Sequence, residues 1–375
     1  MRIVHVHSRC TPSMGIPRAA LAVADESARA GHDVHYLHAF PEEDSGKKIT
    51  CHRLRVVTFP HSAEMLHFSR ASYRACRSLN PDIVHTHGEV PFGDVVTAQS
   101  CHKRAMAVGS RFEPGGTRFT FGIADAVRLR NERLLYKQGK CRRVIAVSDG
   151  VRKELQEEYD VPSEKITVIP NGVDLDRFSP LRIPVDRPSM RNELGIGAGA
   201  QVLLIVANEF RRKGVHLVID ALARLNDDNL RLVVAGSDDP SPYIAQAKQR
   251  GLESQVQFTI GRISVERLYA AADLFVMPTF YEAFSLATLE AASSGLPLLV
   301  TRVHGTSELI VDGNNGYFIE RDADDIAAKI RLSLNDQKRL EQMKQHARKS
   351  AEPFSWQKIV PQVLSVYGSV LKERR

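Results

Sequence analysis

Residues 278–295 read PTFYEAFSLATLEAASSG and lie between two short apolar runs, DLFVMP at 273–278 and LPLLV at 296–300. Short apolar runs bounded by proline or glycine are typical of buried strands. A strand, a loop, a helix and a second strand, in that order, form the unit from which parallel sheets are built. This stretch therefore predicts an α/β fold with a parallel sheet.

Two glutamates flank the predicted start of the helix. Ser285 fits an N-cap, and the backbone N–H groups of Phe284, Ser285 and Leu286 would then lack helical partners and favour an anion. Glu282 precedes the helix, and Glu290 lies about one and a half turns inside it. An acid, an anion-binding helix start and a second acid would suit a sugar, a diphosphate and a ribose. The same pattern also fits an ordinary amphipathic helix with solvated glutamates.

The composition is that of a soluble globular protein. The chain has 375 residues, 43% of them hydrophobic and 25% charged, which predicts about two domains. No apolar run reaches the ~18 residues of a membrane span, and the start, MRIVHVHSRC, alternates like a strand rather than a signal peptide. The five cysteines lie in the first 150 residues without CxxC spacing. We therefore expect a cytoplasmic protein whose free thiols mostly fill the core.

The net charge of +7 is concentrated in one segment, residues 103–143. This segment carries eleven Lys or Arg against three acids, with Phe112, Phe119, Phe121 and Tyr136 interleaved. It could contact nucleic acid, anionic lipid at the inner face of the cell membrane, or an anionic acceptor. It also fits a solvated basic helix face. Because it contains no recognised nucleic-acid-binding motif, we expect no nucleic-acid partner.

Two successive series of strands and helices organise the chain. The first series ends with a strand at 165–169, and the second begins with a strand at 202–207, after a proline- and glycine-rich stretch that is typical of a linker. Alternating strands and helices predict two doubly wound α/β domains with a ligand in the cleft between their strand ends. The predicted divisions are 1–178, the linker 179–200, 201–354 and a terminal helix at 355–375.

Candidate ligand-binding residues lie where strands pass into helices. Gly15 follows the first strand, where a phosphate or sugar can approach the backbone, although no GxGxxG motif follows that strand. The strand 202–207 ends at Asn208 and is followed by Arg212 and Lys213 at a helix start. Two cations there suit a diphosphate whose negative charge grows as it leaves. Paired cations are often merely on the surface, but these oppose the helix dipole, which favours a functional reason for them.

Two other strand ends carry polar or basic residues. Arg262 and Ile263 follow the strand 256–259, so they would line the same cleft and could contact a base. His85 and His87 end another strand, but no third ligand follows at a suitable spacing. We therefore predict no metal site.

Short motifs are spread along nearly the whole chain. Glu282 and Glu290 form a motif of two acids separated by seven residues. The other motifs are Gly31-His-Asp-Val, Pro81-Asp-Ile-Val-His-Thr-His-Gly88, Ala146-Val-Ser148, Val168-Ile-Pro-Asn-Gly-Val-Asp174, Arg212-Lys-Gly214, Ser307-Glu308, Gly313 to Gly316 and Phe354-Ser-Trp356. In this combination the chain resembles glycosyltransferase family 4, a group of retaining, nucleotide-sugar-dependent enzymes whose hallmark is the two-glutamate motif.

The resemblance implies the GT-B architecture, which is two Rossmann-like doubly wound domains facing across a cleft. It implies catalytic roles for Glu282, Arg212 and Lys213, and donor-binding roles for Gly15, Asn208, Arg262, Ile263, Phe284, Ser285, Leu286 and Glu290. Glu282 would bind hydroxyls of the donor sugar, and Glu290 would bind the ribose. The reaction would retain the anomeric configuration and need no metal or other cofactor.

Two features depart from the family pattern. Many relatives have a histidine after the strand that matches 95–98, whereas here Gln99 stands near that place and His102 follows three residues later. Either of them could face the acceptor or the donor sugar. The first loop reads Met14-Gly15-Ile16, without the double glycine that is common in the family.

The resemblance predicts the reaction class. Such an enzyme would move a hexosyl unit from a nucleotide diphosphate sugar, most often a UDP-sugar in the family, to a saccharide or lipid-linked acceptor of a cell-surface glycan. It would be cytoplasmic and could contact the membrane through 103–143. The alternative is a catalytically weak, nucleotide-sugar-binding scaffold in a membrane complex that assembles glycans.

Overall fold

A computed structural model describes residues 1–12, 14–40, 48–109, 122–261 and 264–374. The chain forms two compact units. The N-terminal domain consists of Met1–Gly172 with Trp356–Arg375, and the C-terminal domain consists of Val173–Ser355. Each domain contains one parallel sheet with flanking helices, so the predicted α/β class with two Rossmann-like domains is confirmed.

Within its described residues, the N-terminal domain contains a seven-stranded parallel sheet. Its strands are β1 (Arg2–Val6), β2 (Asp33–His38), β3 (Thr50–Arg53), β4 (Ile83–Thr86), β5 (Val95–Ala98), β6 (Arg143–Ala146) and β7 (Ile166–Val168). Their spatial order is β3-β2-β1-β4-β5-β6-β7, so the order reverses between β1 and β4. Ligands of such sheets bind at this reversal, outside the carboxyl ends of the strands.

Helices cover both faces of this sheet. They are α1 (Gly15–Arg29), α2 (His61–Leu79), α3 (His102–Gly109), α4 (Ile123–Glu132) with a π-helical continuation (Arg133–Lys137), α5 (Asp149–Tyr159) and the terminal helix (Trp356–Glu373). The helix α1 and the terminal helix pack on one face, where Leu21 and Tyr367 join Ile3 and Ile83 in the apolar core. Phe68 of α2 packs on the other face. None of the described helices is both long enough and apolar enough to cross a membrane.

Three buried histidines lie together inside this domain. His5 on β1 is paired in register with His85 on β4, and His5 Nδ1 lies 3.3 Å from His87 Nε2. His85 contacts the Tyr367 hydroxyl at 2.6 Å and the Thr97 hydroxyl at 2.7 Å. The sequence indicated no third ligand for His85 and His87, because His5 reaches them only through the pairing of β1 with β4.

Burial keeps these imidazoles neutral. It lowers the pKa of His5 from 6.5 to about 3. It also holds the pKa values of His85 and His87 well below their usual range, and the neighbouring histidines lower them further. Below about pH 6.5 these histidines bind protons in the unfolded chain but not in the folded one. The folded state therefore loses stability as the pH falls from about 6.5 towards about 3.

We expect His5→Gln to flatten this pH dependence. Each histidine that is protonated only in the unfolded chain contributes a slope of about 1.4 kcal/mol per pH unit to the free energy of unfolding. The variant removes one such histidine, which acts between about pH 6 and pH 4. Urea unfolding at a series of pH values measures the slope. The control is His67→Gln, since His67 is exposed on α2. An equal slope for the two variants would contradict the assignment.

Within its described residues, the C-terminal domain contains a six-stranded parallel sheet. Its strands are β8 (Gln201–Val206), β9 (Leu230–Gly236), β10 (Val256–Ile260), β11 (Leu274–Met277), β12 (Leu298–Val300) and β13 (Gly316–Phe318). Their spatial order is β10-β9-β8-β11-β12-β13, so the order reverses between β8 and β11. The strands β11 and β12 pair in parallel, as the stretch 273–300 predicted.

One helix precedes the first strand of this domain, one follows each strand, and a second follows the last strand. They are α6 (Ile183–Glu193), α7 (Val215–Leu225), α8 (Ser241–Gln249), α9 (Val265–Ala271), α10 (Leu286–Ser293), α11 (Thr306–Leu309), α12 (Ala323–Leu334) and α13 (Gln337–Ala351). Leu222 of α7 and Ile326 of α12 belong to the apolar core that packs against β8 and β9.

The structure differs from the prediction at residues 179–200, which were expected to form a linker. This stretch contains α6, and it belongs to the C-terminal domain, which begins at Val173. Pro184 lies in the first turn, where a missing N–H is tolerated. Arg187 and Arg191 bind the Asp273 carboxylate at 2.5 and 2.7 Å. Since Pro184 lies at the helix start and Pro188 lies inside the helix, the prolines of this stretch do not mark a flexible connection.

Candidate active site

A buried ion pair joins the two loops at the reversal of the C-terminal sheet. Lys213 follows β8 and Glu282 follows β11, and the Lys213 ammonium donates to Glu282 Oε1. Lys213 is 9% exposed and Glu282 8%. The Thr279 hydroxyl lies 3.4 Å from the same carboxylate oxygen. Because β8 and β11 are neighbours, the sheet brings together two residues that are 69 positions apart.

Arg212 adds a second cation to this carboxylate. Its Nη1 lies 3.5 Å from Glu282 Oε1 and also donates to the Tyr281 carbonyl, while Nη2 lies 2.7 Å from Glu209 Oε2. Burial lowers the pKa of Lys213, and the nearby Glu282 carboxylate only partly opposes this effect. Burial also acts against the Arg212 charge, but the Glu282 and Glu209 carboxylates outweigh it and raise its pKa. Arg212 is therefore a fixed cation.

Gly214 allows the two cations to approach β11 closely. Its φ is +77°, and a Cβ at this position would clash with the carbonyl oxygen of Pro278. The Phe280 N–H donates to the Arg212 carbonyl at 2.9 Å across the same junction. The glycine of the Arg-Lys-Gly motif is thus required by the packing of one strand end against the next.

The start of α10 is capped as predicted. Ser285 is the N-cap, and its Oγ accepts from the Thr288 N–H at 3.2 Å. The other N–H groups at the helix start, beginning at Leu286, belong to the positions that lack an acceptor within a helix and favour an anion. The Phe284 ring packs 6.0 Å from that of Phe354, and a Cβ on Gly305 would lie 2.7 Å from the Phe284 ring. The Phe284 side chain therefore holds the loop in place.

Glu290 is buried inside α10 rather than solvated. It is 3% exposed, and the Tyr269 hydroxyl lies 3.1 Å from its Oε2. Tyr269 belongs to α9, and nothing in the sequence distinguishes it from an ordinary core tyrosine. Since Glu282 is buried as well, the interpretation of an amphipathic helix with solvated glutamates is wrong.

The remaining candidates of the C-terminal domain are placed only in part. Asn208 Oδ1 accepts from the N–H of Ser237 at 3.1 Å and from its hydroxyl at 2.8 Å, which links the ends of β8 and β9. Arg262 and Ile263 lie outside the described residues. Their predicted contact with a base stays a prediction.

The other candidates belong to the N-terminal domain. Gly15 is the first residue of α1, between the exposed side chains of Met14 and Ile16. The Gln99 amide exchanges two hydrogen bonds with the Asn171 amide, at 2.9 and 3.0 Å.

His102 begins α3, and its Nε2 lies 3.2 Å from Asp125 Oδ1. Burial and the charge of Arg128 lower the pKa of His102, against the opposite effect of Asp125. Sequence reasoning missed Glu132, whose carboxylate accepts from the His102 N–H at 2.7 Å and from the Tyr159 hydroxyl at 2.6 Å. This buried acid appeared in the sequence only as one charge in a basic segment.

Comparison with known proteins assigns the class that this fold and site define. Residues 186–350 match the family model described as glycosyl transferases group 1, and residues 13–177 match the model described as glycosyltransferase family 4. The chain is 31% identical over 319 residues to the lipopolysaccharide glucosyltransferase WaaG of Escherichia coli (strain K12), and the match covers 82% of each protein. The chain therefore belongs to the group 1, family 4 glycosyltransferases.

Solved structures agree on the fold. A crystal structure of WaaG matches with a TM-score of 0.84 at 26% identity, covering 97% of this chain and 99% of that one. Sucrose-phosphate synthase from Thermosynechococcus elongatus matches with a TM-score of 0.82 at 19% identity, covering 99% of each chain. Together with the two parallel sheets, these matches show that the protein has the GT-B fold.

We expect Gly214→Ala to destabilise the C-terminal domain more than Gly195→Ala does. Both glycines have positive φ, +77° and +65°, but nothing lies within 4 Å of a Cβ at Gly195. The clash with Pro278 should add about 1–3 kcal/mol to the loss in the free energy of unfolding, as overpacking does. Urea unfolding measures the difference. Equal losses in the free energy of unfolding would show that only the positive φ, and not the contact with Pro278, requires glycine at position 214.

Proposed function

We propose that the enzyme transfers a hexosyl unit from a nucleotide diphosphate sugar, with a UDP-sugar preferred, to a saccharide or lipid-linked acceptor of a cell-surface glycan. The transfer retains the anomeric configuration and uses no metal. The observation that carries this proposal is the buried Lys213–Glu282 pair at the sheet reversal, one short loop before the capped start of α10. WaaG is a lipopolysaccharide glucosyltransferase by name, which supports a related acceptor class.

The charges of the site and one structural neighbour support a nucleotide diphosphate, and UDP first, as the carrier of the donor sugar. Two cations and the N-terminus of α10 can bind a diphosphate without a divalent ion, because they supply the charge stabilisation that an ion would otherwise give. Anabaena HepE, which has the same fold with a TM-score of 0.72 at 20% identity over 98% of this chain and all of that one, was crystallised with UDP-glucose. This neighbour supports UDP as the first carrier to test.

An exchange of partners at Lys213 would connect binding to chemistry. A diphosphate that takes the Lys213 ammonium would displace the Glu282 carboxylate, which could then accept hydrogen bonds from hydroxyls of the donor sugar. As the bond to the sugar breaks, negative charge grows on the leaving diphosphate beside Arg212 and Lys213. Glu290, held by the Tyr269 hydroxyl, would accept from the ribose.

We expect Lys213→Ala to lower kcat by about 100-fold, because one charge-stabilising donor is lost. Steady-state transfer or hydrolysis with a panel of UDP-, GDP- and ADP-sugars measures it. The control is Lys248→Ala, which removes an exposed lysine of the same domain. If no nucleotide sugar binds the native enzyme, or if the two variants behave alike, the proposal fails. Binding without turnover in the native protein would instead support the scaffold alternative.

The two glutamates should have separate effects. Glu282→Gln should lower kcat and weaken discrimination between donor sugars, whereas Glu290→Gln should mainly raise the dissociation constant of the free nucleotide. Tyr269→Phe, which removes the hydroxyl that contacts Glu290, should follow the Glu290→Gln pattern with a smaller effect. Calorimetric titration with UDP, together with kcat, separates the two effects. Identical profiles for the two glutamate variants would contradict this division of roles.

We also propose that the basic segment contacts anionic membrane or an anionic acceptor. The helix α4 exposes Arg128 and Arg130, and Arg133 follows them. Tyr136 does not lie among these cations at the surface, since it is buried against Tyr159. Phe112, Phe119 and Phe121 lie outside the described residues. The exposed cations therefore carry this proposal.

Replacing Arg128, Arg130, Arg133 and Lys137 by Gln should weaken co-sedimentation with anionic vesicles by at least about tenfold. Each cation near such a surface contributes about 1 kcal/mol, although Arg128 and Lys137 are partly neutralised by Asp125 and Asp160. Zwitterionic vesicles serve as the control. If binding to vesicles and to acceptor is unchanged, the segment is only a solvated face.

A further inference from the structure

Two cysteines and a histidine lie together at one side of the N-terminal sheet. Cys10 follows β1, His38 ends β2 and Cys51 lies on β3. The two sulfur atoms are 3.9 Å apart, and a ring nitrogen of His38 lies within 4.8 Å of both. Cys10 and His38 are 1% and 2% exposed, and Cys51 is half-buried. The sequence showed only cysteines without a spacing motif, because these three residues come together only through the pairing of β1, β2 and β3.

The spacing of the sulfurs is that of a metal-bound pair. With a zinc–sulfur bond of about 2.3 Å and tetrahedral angles, two sulfurs on one zinc lie about 3.8 Å apart. This spacing agrees with the 3.9 Å between Cys10 and Cys51, which do not form a disulfide. Thiolate and imidazole together are a ligand set that zinc prefers.

One ring nitrogen of His38 makes the kind of hydrogen bond that metal-binding histidines commonly make. Its Nδ1 lies 2.8 Å from the Phe40 carbonyl oxygen. Because a carbonyl can only accept, Nδ1 carries the proton, and the tautomer leaves Nε2 with a lone pair. Hydrogen bonding of one ring nitrogen to a backbone carbonyl fixes a ligating imidazole in this way.

Charge distinguishes this cluster from the other buried one. Two thiolates would balance the two charges of a zinc ion, so the occupied site would be neutral and burial would cost little. An ion among His5, His85 and His87 would leave two positive charges in the core. In addition, both ring nitrogens of His85 already contact hydroxyl groups.

We propose that Cys10, His38 and Cys51 bind one zinc ion, with the fourth position taken by water or a small ligand. We infer that this site stabilises the N-terminal domain. It lies in a different domain from Lys213 and Glu282, and its bonds would tie the loop that leads from β1 towards α1 to the neighbouring strands β2 and β3. It takes no part in the transfer reaction.

Cobalt titration of the full-length reduced protein tests the proposal, because tetrahedral cobalt bound to thiolates gives both charge-transfer and visible ligand-field absorption. We expect one cobalt per chain and its displacement by zinc. Cys51→Ser and His38→Ala should each weaken cobalt binding by more than about 100-fold, since even loss of a partner that only orients a ligand costs 10–100-fold. Cys76→Ser is the control, because Cys76 is a buried cysteine of α2 outside the cluster.

Three results would overturn the proposal. The first is a native protein that shows no cobalt–thiolate absorption while its Cys10 and Cys51 thiols are reduced. The second is absorption that survives in Cys51→Ser. The third is absorption that Cys76→Ser weakens as much as Cys51→Ser does. Circular dichroism of each variant establishes that it is folded, and zinc-dependent thermal stabilisation of the native chain, absent from Cys51→Ser, is the second readout.

Discussion

The order of β8 and β11 in the C-terminal sheet determines the geometry of the candidate active site. Placing these strands side by side brings Lys213 against Glu282, and it removes both groups from water. A buried ion pair contributes little net stability, because desolvation offsets most of the attraction between the charges. Its value to a transferase lies elsewhere. In the proposed exchange, an anionic ligand meets a cation that is already in position, and Arg212 remains beside the displaced Glu282 carboxylate.

The sequence predicted the elements that depend on local pattern. The strand, loop, helix and strand over 273–300 and the Ser285 cap are confirmed, because apolar runs, Gly295 and a serine before an apolar helix act over a few residues. The stretch 179–200 was interpreted wrongly. Its prolines were compatible with a helix, and the ion pairs of Arg187 and Arg191 with Asp273, some 80 residues away, could not be read from local composition.

The sequence did not show which distant residues contact one another in the candidate site. The Tyr269 hydroxyl on Glu290 and the Glu132 carboxylate at the start of α3 depend on which helices pack together, and neither residue carries a motif. The histidine and cysteine clusters arise in the same way, from strands that are adjacent in space only. Motif resemblance predicted which residues form the site, but it could not predict what each of them contacts.

Hydrogen bonds to backbone carbonyls also link the loops after β8, β11, β12 and β13. The Phe280 N–H bonds to the Arg212 carbonyl, and the Thr279 carbonyl accepts from the Thr301 hydroxyl at 2.7 Å and from Arg321 Nε at 3.0 Å. Loops fixed in this way have little conformational entropy left to lose when a ligand arrives. Selectivity among related ligands would then change by exchange of single side chains on a constant backbone, which leaves the scaffold free to diversify its substrates without refolding.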